Sequence, residues 1–444
     1  MGISIAVCIV AYISILWILR RDAISIGLPI AYMSTLLLIH LFGAYVHFID
    51  PDLPNTVYVE TGIYFVAIGA VSFVAGTWVV AFVVGEQQRR VDEPDQFKFA
   101  MFCVGAGWFL TFGLGFLHSI PSLGAAIGQA GAIWMLGIVV GLRAAMKRNT
   151  LVEVATWVAA LGVYPVVVLV SGGFFSYGST AVIIVLSVLL VVARSRIKIS
   201  IALAVCIYVG LSVFVNYFSH REEIRGKVWH GAPLGERIDV VSDAFSNFQL
   251  LDLTDHNQVL AIDQRLNQNF FVGLAATRLS WGEVEYLYGR SVWEGALAFV
   301  PRAFWPEKPV VAGSPKIVAE MTGLRLNEST SFGVGNVMEF QINFGTPGVI
   351  GGFFILGYLL RWLDRKAASA VRRGDFGNAI IYFLPAISLI QPNGSIVELC
   401  SGSAAGLVGA LGWRWVWNRW PGGPPHRRMS SPRPNEPMLR YPQR

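Results

Sequence analysis

Charge is scarce in this chain. Only 14% of its 444 residues are Asp, Glu, Lys or Arg, against about 25% in an ordinary soluble domain. The AVILMFWYC residues make up 54% and mean hydropathy is +0.56, so a soluble fold would lack the polar skin to cover its apolar surface. Cysteine is scarce as well. Cys8, Cys103, Cys206 and Cys400 all lie in apolar runs, which leaves no disulfide framework to read. Absent altogether are a GxxxxGK[ST] loop, a dinucleotide fingerprint, HExxH and paired CxxC. The seven histidines are scattered without metal-ligand spacing, and lone ones such as His40 and His118 read as packed core residues. These absences exclude a soluble enzyme, a disordered protein and a small disulfide scaffold. No cofactor and no metal is implied.

What the chain has instead is long apolar runs. A membrane span needs roughly 20 mostly apolar residues. Eleven runs reach or approach that length, at about 2–19, 24–48, 61–84, 99–118, 122–142, 152–171, 179–193, 199–217, 341–360, 376–391 and 397–418. The least regular are 122–142, which opens on a polar-small stretch around Gly128, and the short 179–193. The net charge of +6 is then a matter of topology rather than of nucleic acid. Arg20 and Arg21, Arg89, Arg90 and Lys98, Arg143 to Arg148, Arg194 to Lys198, Arg361 to Arg373 and the tail all fall on one side of an eleven-span arrangement. The loops near 49–60, 119–121, 172–178 and 392–396 contain no Lys or Arg. The remaining cations lie in one long loop, which is exempt from the positive-inside rule. The asymmetry predicts an odd number of spans, N-terminus outside and C-terminus inside. The first run carries its positive charge after the apolar stretch, the wrong order for a cleaved signal peptide. The chain thus divides into 1–217 with eight spans, 218–340 as an outer loop, 341–418 with three closing spans, and a basic tail, 419–444, expected to be disordered. The fold class is an all-α polytopic membrane protein.

The long loop has its own periodicity. Val240, Val241, Phe245 and Phe248 predict a helix over 239–250. A second is expected over 257–279 and a short third over 316–322. The interrupted apolar stretch 291–303 reads as a helix lying in the interface or dipping into it, and Trp281, Tyr286, Tyr288, Trp293 and Trp305 crowd the depth such rings favour. Arg278, Arg290, Arg302 and Lys308 stand among Glu283, Glu285, Glu294, Glu307 and Glu339. Arginine suits bidentate phosphate recognition, a carboxylate takes a proton from an attacking hydroxyl, and aromatic rings stack on sugars. These parts suit a reaction between a lipid-linked phosphosugar and another sugar; a solvated loop with neutralising salt bridges would share the composition. At the loop's other end, His220, Arg221 and Arg225 stand among Glu222 and Glu223, either as a phosphate site or as an interfacial salt-bridge cluster.

Two segments narrow the choice: YLYGRSV at 286–292 and VPRAFWPEKP at 300–309. They resemble the YxYGxS … PRxxWPxKP pattern of the Wzy-type O-antigen and oligosaccharide repeat-unit polymerases. Downstream, SFGVGNVME at 331–339 and INFGTPG at 342–348 look like the stretch that enters the next span in those proteins. The motifs cover about 60 residues; the rest of the chain matches in layout only. The resemblance implies a GT-C-like, metal-independent membrane glycosyltransferase. Such enzymes join undecaprenyl-diphosphate-linked oligosaccharide units on the outer face of the bacterial inner membrane. A chain-length regulator and a flippase of the same pathway would be its partners.

Under that reading the leaving diphosphate gains charge in the transition state, and fixed cations near it stabilise it. Arg278 and Arg302 are the first candidates, with Arg290, Lys308 and Arg221 in support. Glu339 or Glu307 is the candidate base. Glu339 sits at the edge of an apolar span, where a carboxylate is poorly hydrated. Tyr288 and Trp305 are candidate sugar-stacking residues, and Asn343 would orient a sugar or hold the loop. Pro301, Pro306 and Pro309 would hold Arg302 and Trp305 on a rigid turn. The nearest rival is an O-antigen ligase, which shares the topology and the lipid donor. A transporter or flippase would need more polar residues deep in several spans.

Overall fold

The computed structural model describes residues 1–22, 24–83, 93–114, 123–173, 175–192, 196–246, 248–300, 305, 314–325 and 333–420. Among them the secondary structure is helical, without strands. That is the form long apolar runs take in lipid, where every backbone N–H and C=O must be satisfied within its own segment. The bundle opens with α1 (Gly2–Asp22), α2 (Leu28–Ile49), α3 (Thr56–Val83) and α4 (Glu93–Trp108), which runs into a π-helical turn over Phe109–Gly113. It continues through α5 (Leu123–Gly131), α6 (Ile133–Arg148), α7 (Leu151–Gly172), α8 (Phe175–Val192) and α9 (Arg196–Trp229). The outer-loop region holds α10 (Leu234–Ser246), α11 (His256–Leu266), α12 (Asn269–Ser280), α13 (Arg290–Ala298) and α14 (Ser314–Thr322). It is followed by α15 (Asn336–Arg373), α16 (Phe376–Leu389) and α17 (Ile396–Arg419). Each of the eleven apolar runs is helical over most of its described residues. Among the described residues, seven segments are long and apolar enough to cross a membrane: α1, α2, Thr56–Val80 of α3, Ala126–Arg148, Leu151–Val170, α15 and α17. The chain is therefore a polytopic membrane protein.

The helix ends sort into two groups. At one end, Asp364 Oδ1 accepts from the backbone N–H groups of Ile26 (3.0 Å) and Leu28 (3.1 Å). Fully buried Arg361 pairs there with Asp22 and Asp364. Arg143 donates to the Ser25 carbonyl (2.9 Å), and Arg20 to that of Leu190 (2.6 Å). Arg20, Arg143, Arg361 and Arg365 thus share one end, as the loop charges predict. The other end gathers the start of α1, the end of α2 and the start of α3: the Met1 ammonium pairs with Glu60, and His47 Nδ1 meets Thr56 Oγ1 at 2.8 Å. The outer-loop helices pack at this second end.

Two elements depart from the sequence expectation. The helix expected over 257–279 is two helices, α11 and α12, with a reversal between them. Asp263 faces His47 (3.2 Å), a Cβ on Gly43 would strike Asn267, and Asn269 Oδ1 meets His40 Nδ1 (2.9 Å). So α11 descends along α2, and α12 climbs back along α3 past Gly62 and Tyr58. Asn267 and Asn269 make the reversal because their amides satisfy local groups in place of a helical ladder. Asn267 donates to Asp263, and Asn269 donates to Asn267 and to the His40 carbonyl.

The second departure is α15. The expected straight span over 341–360 reverses at Phe344 and Gly345, which leave helical geometry (Gly345 φ 64°, ψ −150°). The Phe340 and Phe353 rings, thirteen residues apart, have centroids 5.6 Å apart; an unbroken helix would separate them by about 20 Å. Residues 336–343 therefore rise out of the bundle, turn, and the chain descends again from 346 to 373. Glycine at 348 and 352 lets the arms touch: a Cβ at Gly352 would stand 2.6 Å from the Phe340 ring. The rising arm starts deep, where Tyr32, one turn from the start of α2, donates to Asn336 Oδ1 (2.8 Å).

Candidate functional site

The stretches 286–292 and 342–348 meet on the tip of the α15 hairpin. The Leu287 N–H donates to the Ile342 carbonyl (2.9 Å) and the Gly289 N–H to Asn343 Oδ1 (3.0 Å). Asn343 Nδ2 donates to Ser291 Oγ (2.8 Å) and to the Glu339 carbonyl (2.7 Å). Tyr288 and Gly289 both adopt left-handed backbone, φ 45° and 88°. This turns the chain over the hairpin and starts α13 at Arg290. Gly289 suits this turn: its φ favours glycine, and a Cβ would press on the half-exposed Phe344 ring at 2.9 Å.

Above this junction lies a recess of about 270 Å³, lined by Val284, Glu285, Tyr286, Leu287, Arg290, Glu320 and Met321. Arg278 and Arg290 meet at its α14 wall. Arg290 pairs with the Glu320 carboxylate (3.0 Å). Arg278 pairs with Glu283 (2.9 Å) and donates to the Met321 carbonyl (3.2 Å). Tyr286 and Tyr288 sit edge to face, centroids 6.1 Å apart, and Tyr288 is 76% exposed. Cations, carboxylates and exposed rings thus surround a space the size of a sugar or two.

Below the junction is a sealed polar layer. Glu339 is fully buried, one turn into the rising arm. Its Oε2 accepts from the Ile396 N–H (2.7 Å), and Ser291 stands beside its carboxylate. Its charged neighbours are Glu398 and Glu294; no Lys or Arg among the described residues forms an ion pair with it. Glu398 is itself engaged, by the Ser395 N–H (3.1 Å) and by Ser314 Oγ (3.2 Å). Asn336 ties this layer to the α16–α17 turn through the Gly394 carbonyl (2.9 Å).

The geometry places the residues singled out in the sequence as follows. Asn343 is fully buried and its amide is committed to Gly289, Ser291 and Glu339, so it holds the loop rather than orienting a sugar. Glu339 lies under the junction, walled from the recess that Arg290 lines. His40 is a packed core residue, bonded to Asn269. Arg302, Glu307 and Lys308 lie outside the described residues, as do the three prolines around them; Trp305 is described and 37% exposed. Arg221 stands elsewhere, on α9, near Arg225 and against the ring of Phe218 (5.4 Å). Burial first, and then Arg225, hold its guanidinium below the usual arginine range.

Glu320 was not singled out by the sequence, which shows it only as one carboxylate in a short helix; its place between Arg278 and Arg290 needs the tertiary fold. The Ser395–Glu398 pair had a readable signal. S-x-x-E before an apolar run is a capping box, and both of its bonds are formed here. Comparison with known proteins finds no match: no family model, no characterised protein and no solved structure matches the chain.

Proposed function

We propose that this chain is a membrane-embedded, metal-independent glycosyltransferase with a GT-C-like bundle of eleven spans. It would polymerise undecaprenyl-diphosphate-linked oligosaccharide repeat units at the outer face of a bacterial inner membrane, with its N-terminus outside and its C-terminus cytoplasmic. The observation that carries this reading is the docking of 286–292 onto 342–343. Two of the stretches that resemble the polymerases, 54 residues apart at Gly289 and Asn343, share one junction beneath a recess lined by Arg290, Tyr286 and Glu320. Arginines there can neutralise the charge that builds on the departing lipid diphosphate. Exposed aromatic rings can hold the sugar of the incoming unit. The carboxylates near the recess, and Glu307 on the resembling segment, supply candidate bases for its hydroxyl.

The test is complementation of a strain lacking the gene, read as the glycan ladder, with each variant first shown to reach the membrane. The wild-type gene should restore many repeat lengths, and Arg302→Ala should leave a single unit on the final carrier. An unchanged ladder would remove Arg302 from the site. Lipid-linked polymer that accumulates while the carrier stays bare would identify the ligase instead.

A further inference from the structure

A second recess, of about 360 Å³, lies between the turn into α3 and the α11–α12 hairpin, and it shares no lining residue with the Arg290 recess. Its volume falls in the range of about 300–1,000 Å³ that small-ligand sites occupy. Part of its wall is aromatic. Phe270 and Phe271 open α12 with ring centroids 5.4 Å apart, and Phe270 is held edge-on by Tyr58 of α3 (6.0 Å). The rest is mainly polar: Asn55 on the turn, and Asp263, Gln264 and Asn267 from α11 and its end.

These walls are set before a ligand arrives. Asn267 donates to Asp263 Oδ1 (2.7 Å), and His47 Nε2 stands 3.2 Å from the same oxygen, which fixes the carboxylate. On the turn, Thr56 Oγ1 donates to the Leu53 carbonyl (2.7 Å) and meets His47 Nδ1 (2.8 Å). Asn55 holds left-handed backbone there, φ 70°, a conformation that L-residues other than Asn and Asp seldom adopt. Three polar groups of the lining remain unengaged. Asp263 Oδ2 and the side-chain amides of Asn55 and Gln264 make no hydrogen bond among the described residues.

An apolar chain placed here would strand all three groups without water or partner, at a cost for each. An anion would find Arg265 in the lining, but also Asp263, with Asp50 and Asp52 on the turn before Pro54. A pyranose fits both kinds of wall. Its C–H face is apolar and lies against a ring, and its hydroxyls both donate and accept, as a carboxylate and two amides require. We infer that this recess is a saccharide-binding site, separate from the Arg290 recess, which takes an uncharged pyranose. Phe270 and Phe271 receive the sugar's apolar face, and Asp263, Asn55 and Gln264 bond its hydroxyls. The inference rests on the polymerase reading only for which glycan is held: under it, the recess keeps a second sugar of a bound chain away from the transfer site.

The test reads binding without turnover. Full-length protein in phosphatidylcholine nanodiscs is mixed with the methyl glycosides of glucose, galactose, mannose, rhamnose and N-acetylglucosamine, and saturation transfer from protein to sugar is followed by NMR. At least one glycoside should bind saturably. Tetrahydropyran-2-methanol, a ring without the secondary hydroxyls, should not, because a site built to bond hydroxyls rejects an analogue lacking them. Asn55→Gly keeps the left-handed turn, and Gln264→Ala changes an exposed helical position, so both variants fold. Each should weaken binding about threefold to tenfold, the size of one lost hydrogen bond, and Arg290→Gln should leave it unchanged. No binding by any glycoside, equal binding of the bare ring, or affinity that survives both Asn55→Gly and Gln264→Ala overturns the site. The glycosides carry neither lipid nor diphosphate, so the polymerase reading is tested separately. Bound glycoside without a glycan ladder keeps the recess and removes the polymerase; a full ladder without bound glycoside does the reverse.

Discussion

At the scale of single residues, Asn343 and Tyr288 do opposite jobs on the same turn. Asn343 is buried and its amide closes three hydrogen bonds. Asn343→Ala strands the Gly289 N–H and should cost about 1–3 kcal/mol, read as a lower unfolding temperature in detergent. Tyr288 is exposed and holds a backbone that L-residues pay about 1–2 kcal/mol to adopt. Tyr288→Gly should therefore leave stability equal or higher. If the ring stacks on sugar, the same variant should shorten the glycan ladder; a full ladder would mean that the ring is only a surface feature. Glu339→Gln separates structure from chemistry, because a Gln amide can accept from Ile396 and donate to Ser291. Its unfolding temperature should match or exceed that of the wild type, since a buried carboxylate is replaced by a neutral group.

At the scale of elements, the α15 reversal is what the polar site is built on. In a background without the four native cysteines, Phe340→Cys with Phe353→Cys should be joined by a short thiol-bridging reagent. A straight helix would hold the pair too far apart to react. The apolar content of these elements was legible in sequence, because every helix that contributes to the bundle announces itself as a run of residues that lipid tolerates. The reversals were not. Phe344-Gly345 reads as one more pair in an apolar stretch, and only contact between Phe340 and Phe353 reveals that the chain doubles back. Likewise Asn267 and Asn269 sit inside an acceptable helical pattern, and their role depends on His40 and Gly43, over two hundred residues away. Of the candidate site, Arg278, Arg290 and Tyr288 could be chosen from residue type and neighbourhood. Glu320, Ser291 and the burial of Glu339 could not, since they depend on which hairpin rests on which.

At the scale of the whole molecule, one end of the bundle is locked and the other is open. At the locked end, Arg361 is fully buried between Asp22 and Asp364, and Asp364 also caps the turn into α2. Arg361→Leu leaves the fully buried Asp364 without the cation it pairs with, while Asp22 keeps Arg365 (3.1 Å), and should destabilise the protein by about 3–5 kcal/mol. That loss would show as failure to accumulate intact protein in the membrane. At the open end, the tip of the α15 hairpin, the turn over 286–289 and the α14 wall meet around a recess lined by arginine and an aromatic ring. This asymmetry suits an enzyme whose substrates arrive in one leaflet and whose opposite end serves only to anchor it. The most direct measurement is reconstitution. Purified protein in liposomes is given a defined undecaprenyl-diphosphate-linked repeat unit as sole substrate, and products are followed by mass spectrometry. The polymerase reading predicts a ladder of lengthened lipid-linked glycans, with one lipid diphosphate released for each bond made. Unreacted substrate in the presence of folded protein, or transfer that occurs only when a different acceptor is supplied, would contradict it.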